Sequence, residues 1–102
     1  MSRLDQLEKL LAAEPRDVFV NFALAMEYFK AGRHDDALAQ FERVNEIDPD
    51  YVAAYFHKGN SLVALGRKEE AKPILLKGIE VAKRTRNPHA ADEMADMLKL
   101  LE

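Results

Sequence analysis

The 102-residue sequence contains no cysteine, which excludes disulfide bonds, thiolate catalysis and cysteine-bound zinc. Aliphatic hydroxyl groups are also scarce, since only Ser2, Ser61 and Thr85 carry one. Ser61 lies four residues after His57, a spacing that places two side chains on one face of a helix. A nucleophile–base pair also needs an orienting acid and an oxyanion site, and the sequence shows neither. We therefore expect a protein that is not an enzyme, with a small enzyme as a remote alternative.

Neither sign of charge dominates the sequence, which has 15 basic and 18 acidic residues and a net charge of −3. Domains that bind nucleic acids usually carry a strong positive excess. The only dense basic stretch contains Lys83, Arg84 and Arg86, and cations near the end of a helix are favoured by the helix dipole. We expect no nucleic-acid partner.

Long apolar runs are absent, because no stretch approaches the roughly 20 residues needed to span a bilayer. The opening residues, MSRLDQLEKLLAAEP, are too acidic for a signal peptide and their apolar run is too short. These patterns predict no membrane association and a cytoplasmic location.

Two groups of residues include types that bind metals, one in a turn and one near a helix start: His34, Asp35 and Asp36, and His89, Asp92, Glu93 and Asp96. Acidic residues are favoured near helix N-termini by the helix dipole, whether or not a metal is bound. The spacing in both groups is mixed and matches no particular metal geometry. We therefore expect neither a metal nor another cofactor.

Glycine and proline number only four each, and they divide the chain into segments whose apolar residues recur at helical spacing. The pattern predicts six helices, at residues 2–13, 17–31, 35–47, 50–65, 68–85 and 88–101. Ser2 and Asp5 have the spacing of a capping box, and Asn87 precedes a proline at the first position of the last helix. The short links between helices favour antiparallel neighbours.

The segments repeat with a period of 34 residues. Pro15 and Pro49 are 34 residues apart, and the same spacing separates Gly32 from Gly66 and Ala37 from Ala71. A helix–turn–helix unit of this length is the period of the tetratricopeptide repeat.

Residue types strengthen the resemblance to the tetratricopeptide repeat family in both units. Residues 16–49 match the family pattern at Leu24, Ala25, Tyr28, Gly32, Ala37, Phe41, Val44 and the Asp48-Pro49 pair. Residues 50–83 match it at Tyr55, Gly59, Leu62, Gly66, Ala71, Leu75 and Gly78. Two positions depart from the pattern: Lys58 replaces the usual leucine and Lys83 replaces the closing proline, which follows five residues later as Pro88. The late proline predicts a fifth helix that is longer than usual.

The resemblance implies an all-α fold, a right-handed stack of antiparallel helical hairpins. Its expected organisation is one domain, residues 1–102, with a leading helix at 2–14, repeats at 16–49 and 50–83, and a capping helix at 87–102. Single hairpins of this kind cannot bury their apolar faces alone, whereas stacked hairpins bury a continuous core.

The resemblance also implies where a partner binds, because the first helix of each repeat lines a concave groove that holds peptides in this family. The matching side of the second and fourth helices contributes Phe19, Phe22, Met26, Phe29, Lys30, Phe56, His57 and Asn60. Aromatic and methionine side chains with a polar edge suit an apolar segment of a partner protein. We expect a protein–protein interaction module that binds a peptide or helix in this groove.

Two alternatives remain open for the same apolar residues. They could pair with a second copy of the chain in a homodimer, or pack against the chain's own first helix. One family subclass clamps a peptide carboxylate with lysine, arginine and asparagine. Phe22, Ala23 and Met26 lie at the corresponding positions, so we expect that clamp to be absent.

Overall fold

The computed structural model describes all 102 residues and contains six helices and no strand, which confirms the all-α prediction. The helices are α1 (Arg3–Ala13), α2 (Val18–Lys30), α3 (His34–Ile47), α4 (Val52–Ala64), α5 (Lys68–Arg84) and α6 (Pro88–Leu100). Their ends differ from the predicted ones by at most two residues. The largest difference at a helix start is in α4, which begins at Val52 rather than Asp50 because residues 49 and 50 form a turn.

Side chains cap the helices where the sequence predicts it. The Ser2 hydroxyl accepts a hydrogen bond from the Asp5 amide at 3.1 Å, and the Asp5 carboxylate accepts one from the Ser2 amide at 3.3 Å. The Asn87 side-chain oxygen accepts from the Ala90 amide at the start of α6. Each contact satisfies an amide that lacks a partner within its helix.

Three helices end in the same backbone turn, although only two of the turns contain glycine. Gly32 and Gly66 have φ angles of 75° and 74°, and Arg86 has 61° at the equivalent place after α5. In each turn the next amide donates to the carbonyl five residues earlier: Arg33 to Tyr28, Arg67 to Leu62 and Asn87 to Ala82. This bond pattern requires a left-handed residue, so the chain holds an arginine in a conformation that favours glycine.

Arg86→Gly is therefore expected to raise the free energy of unfolding. The left-handed region costs a residue with a side chain about 1–2 kcal/mol, and the extra freedom of glycine in the unfolded chain cancels part of the gain, leaving about 0.5–1 kcal/mol. Urea denaturation measures the change. Lys83→Gly, inside α5, is the control and should destabilise the protein; a destabilised Arg86→Gly variant would contradict this account of the turn.

The helices lie in two rows. Each helix packs against the next one along the chain; in addition α2 contacts α4 and α4 contacts α6, whereas α1, α3 and α5 do not contact one another. Helices α2, α4 and α6 are therefore closer together than the helices of the other row. We call α2, α4 and α6 the inner row, because the closer row lies on the inside of a curved stack.

The buried side chains form two clusters along the stack. The N-terminal core consists of Ala25, Ala37, Phe41, Val44 and Ala54. The C-terminal core consists of Leu38, Tyr55, Leu62, Ala71, Leu75, Val81, Ala82, Ala91, Met94 and Leu101. As the late proline predicts, α5 has 17 residues, three more than α3.

Candidate functional site

None of the predicted site residues of α2 is among the fully buried residues of this helix. Asn21, Leu24 and Ala25 are the buried residues of α2. Phe19, Phe22 and Met26 form a second stripe at helical spacing, and the residues 34 positions later in α4 form the matching stripe: Ala53, Phe56 and Asn60. We call the solvent side of the inner row the inner face.

Two of the three strongly polar residues of α2, Asn21 and Glu27, bind neighbouring segments, and only the third, the terminal Lys30, is exposed. Asn21 is only 1% exposed. Its amide group donates to the carbonyls of Pro15 and Asp17, and its side-chain oxygen accepts from Gln40 at 2.6 Å. Glu27 pairs with Arg3 at 2.8 Å. The surface left to solvent on α2 is consequently mostly apolar.

Phe19 is the most open of the predicted aromatic residues, with 72% of its surface exposed. Lys30 is also exposed, at the last residue of α2. Met26 is half-buried against the N-terminal core, and Asn60 is half-buried in α4. α1 does not cover Phe19, so the alternative in which the chain's own first helix buries this residue is wrong.

The remaining predicted residues belong to an aromatic cluster between α2, α3 and α4. Phe22 lies 5.9 Å from the Phe41 ring and 4.9 Å from the Tyr51 ring, measured between centroids. His57 stacks on Phe41 at 5.6 Å and an angle of 16°. Phe29 and Phe56 each approach the His57 ring edge-on at 5.4 Å. The cluster joins the two hairpins, and Phe22, Phe29 and Phe56 are each only partly exposed on the inner face.

His57 lies in apolar surroundings inside this cluster. Its Nδ1 atom is buried and has no hydrogen-bond partner. Burial lowers the pKa of His57 below its ordinary value of 6.5, and the negative charge of Glu93 opposes this shift. The imidazole therefore acts here as a neutral packing group, and Glu93 of α6 lies near enough to influence it.

The pKa of His57 predicts a pH-dependent stability. Because the folded protein disfavours the imidazolium, the unfolded chain takes up the proton at a higher pH, and stability is lost as the pH falls through 6.5 towards the lower folded-state pKa. His57→Phe removes this contribution. We expect the free energy of unfolding to fall less for His57→Phe than for the wild type between about pH 7.5 and 5.5. Parallel pH curves from urea denaturation would contradict the assignment.

The repeat pattern of the sequence did not predict one part of the inner face, the part that α6 supplies. α6 begins 36 residues after α4, at Pro88 compared with Val52, and at this offset the buried Ala91 corresponds to the buried Tyr55. At that offset His89, Asp92 and Asp96 correspond to Ala53, Phe56 and Asn60. The buried pattern of the last helix is the signal that could have identified them.

The structure holds no enclosed cavity and no group of three or more residues placed to hold a metal ion. None of its helices is both long and apolar enough to cross a membrane.

Known proteins resemble this chain in sequence and in fold. The family model described as tetratricopeptide repeat matches residues 28–95. The TPR repeat-containing protein PA0015 of Pseudomonas aeruginosa is 28% identical over 99 residues, which cover 97% of this chain and 94% of that protein. A tetratricopeptide repeat domain protein from Salinibacter ruber, solved by NMR, superimposes with a TM-score of 0.80 at 37% identity, covering 87% of this chain and 90% of the other.

The small glutamine-rich tetratricopeptide repeat-containing protein 2 of Mycosarcoma maydis is 35% identical over 57 residues, or 56% of this chain. The chain spans only 16% of the length of that relative. The family match extends over most of the chain, from Tyr28 near the end of α2 to Ala95 in α6, and so includes all of α3, α4 and α5. The chain belongs to the tetratricopeptide repeat family.

Proposed function

We propose that this protein is a non-enzymatic interaction module whose inner face binds a peptide or helix of a partner protein. Repeats of its family serve generally as protein-interaction modules. The observation that carries the proposal is Phe19, a phenyl ring that is 72% exposed beside the half-buried Phe22 and Met26 on the inner face. Exposed aromatic residues next to apolar neighbours are typical of surfaces that bind a partner.

The energetics suit a binding surface of moderate affinity. Burial of one phenylalanine side chain contributes about 1.5–3 kcal/mol, and association costs at least several kcal/mol. Phe19 together with the exposed parts of Phe22 and Phe56 therefore supplies only part of the roughly 8 kcal/mol that micromolar binding requires. The polar Asn60 provides a hydrogen-bonding group beside these anchors.

Phe19→Ala tests the proposal without disturbing the core. Peptides selected from a random phage-displayed library on the wild-type protein serve as probes, and fluorescence anisotropy measures their affinity. We expect Phe19→Ala to weaken binding about tenfold, since it removes one anchor worth about 1.4 kcal/mol or more.

Leu76→Ala is the matched control, because Leu76 is 56% exposed but belongs to α5, outside the inner row. It should bind the peptides as the wild type does. Equal affinities of all three proteins, or recovery of no peptide at all, would overturn the proposed function.

The alternative occupant of the inner face is a second copy of the chain. Light scattering on a sizing column distinguishes this homodimer from a monomer that binds a peptide. A protein of monomeric mass supports the peptide site. A dimer that Phe19→Ala converts to monomer, while Leu76→Ala stays dimeric, would replace the peptide with a second copy of the chain. The cytoplasmic location stays a prediction from the sequence.

A further inference from the structure

The inner face changes character along the stack. Three equivalent positions of each inner-row helix show this change. In α2 they are Phe19, Phe22 and Met26. In α4 they are Ala53, Phe56 and Asn60, and in α6 they are His89, Asp92 and Asp96. One end of the face is therefore apolar and the other is acidic. This asymmetry exists although the chain as a whole has a net charge of only −3.

Two acidic residues of α6, Asp92 and Asp96, have no basic partner, whereas every acidic residue of α5 has one. On α5, Glu69 pairs with Lys72, Glu70 with Arg67 at the N-cap, and Glu80 with Lys77. Neither Asp92 nor Asp96 has a basic side chain or a hydrogen-bond donor within bonding distance. Glu93 pairs with His89 at 2.8 Å, an ion pair only when the histidine is protonated.

Lys99 follows Asp96 by three residues in the last turn of α6, but no ion pair joins the two side chains. Lys30 lies in the last turn of α2, at the apolar end of the face. The acidic end adjoins the aromatic cluster, because α4, which carries Phe56 and His57, contacts both α2 and α6. One bound segment can therefore contact both ends.

We propose, on the basis of the proposed function, that the partner segment carries an apolar stretch next to lysine or arginine residues. The apolar part lies on α2 and α4 against Phe19 and Phe56, and the basic part lies on α6 against Asp92 and Asp96. Exposed ion pairs add little affinity each, so the acidic end selects among apolar segments and sets their direction along the face. Charge complementarity of this kind also speeds association and weakens as salt is added.

The peptides recovered from the phage library test the inference directly. We expect them to combine apolar residues with lysine or arginine, at a frequency above that of the unselected library. Asp92→Asn plus Asp96→Asn keeps the side-chain shapes and removes two charges. It should weaken binding of a recovered peptide about three- to tenfold at low salt, and the loss should shrink as salt is raised.

Glu14→Gln plus Asp35→Asn is the matched control, because these two exposed acidic residues form no ion pair and lie on α1's C-cap and α3. It removes the same charge from outside the inner face and should leave the affinity unchanged. An equal loss in the control would show a general charge effect and overturn the inference.

The two proposals fail in different ways. Neutral or acidic peptides whose binding still depends on Phe19 would overturn the preference for basic partners and leave the binding face intact. Peptides that bind Phe19→Ala as tightly as the wild type would overturn the proposed function. The preference for basic partners would then also be overturned.

Discussion

Phe41→Ala is expected to lower the free energy of unfolding by about 3–5 kcal/mol. The Phe41 ring is fully buried in the N-terminal core, where it stacks on His57 and contacts the rings of Phe22 and Phe29 at 5.9 and 6.5 Å. These contacts join α3 to α2 and α4. Removal of the ring leaves a cavity that rigid helices can only partly close, so the loss includes both transfer and cavity contributions.

Urea denaturation followed by circular dichroism measures this loss. Domains of this size are typically stable by about 5–15 kcal/mol, so the variant should lose a large part of its stability. Phe19→Ala is the matched control, since it deletes the same ring from an exposed position and should change stability by less than about 1 kcal/mol. Similar losses in the two variants would show that Phe41 is not the centre of the core.

Gly78→Ala is expected to destabilise the protein by about 1–3 kcal/mol, although alanine normally favours a helix. An added Cβ at Gly78 would lie 2.5 Å from the Met94 sulfur and 2.7 Å from the Cβ of Tyr55. The Cβ of Tyr55 moves only with the backbone of α4. Helices α4, α5 and α6 converge at this glycine, so the extra methyl group forces them apart.

Gly59→Ala provides the comparison within the same stack. Its added Cβ would lie 2.7 Å from a terminal methyl group of Leu75, which a change of rotamer can move. The clash therefore costs less, and the gain in helix propensity, about 1 kcal/mol, offsets part of it. We expect Gly78→Ala to show the lower urea midpoint. The opposite order would contradict the close packing assigned to Gly78.

Most of the fold could be predicted from local signals in the sequence. The caps at Ser2 and Asn87 and the glycine turns at Gly32 and Gly66 depend on neighbouring residues, so spacing alone located them to within two residues. The missing proline at Lys83 predicted a longer fifth helix, and α5 confirmed it. Repetition of the unit then indicated that the hairpins stack, because each one leaves an apolar side uncovered.

The candidate site was predicted less completely, because burial there depends on distant residues. Asn21 is covered because Gln40, 19 residues later, donates to its side chain. His57 shares the helical stripe of Phe56 and Asn60, yet the rings of three other helical phenylalanines draw it into the cluster between the hairpins. A helical period identifies which residues share a stripe, but it does not specify which edge of the stripe a neighbouring helix covers.

The acidic end of the inner face could not be predicted from the 34-residue period, because the last helix is shifted relative to it. The longer α5 moves α6 two residues out of the 34-residue frame, so Asp92 no longer aligned with Phe56. In the sequence these acidic residues could be described only as the polar side of a terminal helix. Their place on the inner face follows from the buried Ala91 and Met94, which the stack alone determines.

Nuclear magnetic resonance titration with a phage-selected peptide tests most directly whether the inner face is the binding site. If it is, backbone amide shifts should concentrate in α2, α4 and α6, including Phe19, Phe56, Asn60 and Asp92. Amides around the exposed Leu76 in α5 should change little. Shifts concentrated in α3 and α5, or spread evenly over all six helices, would contradict the account.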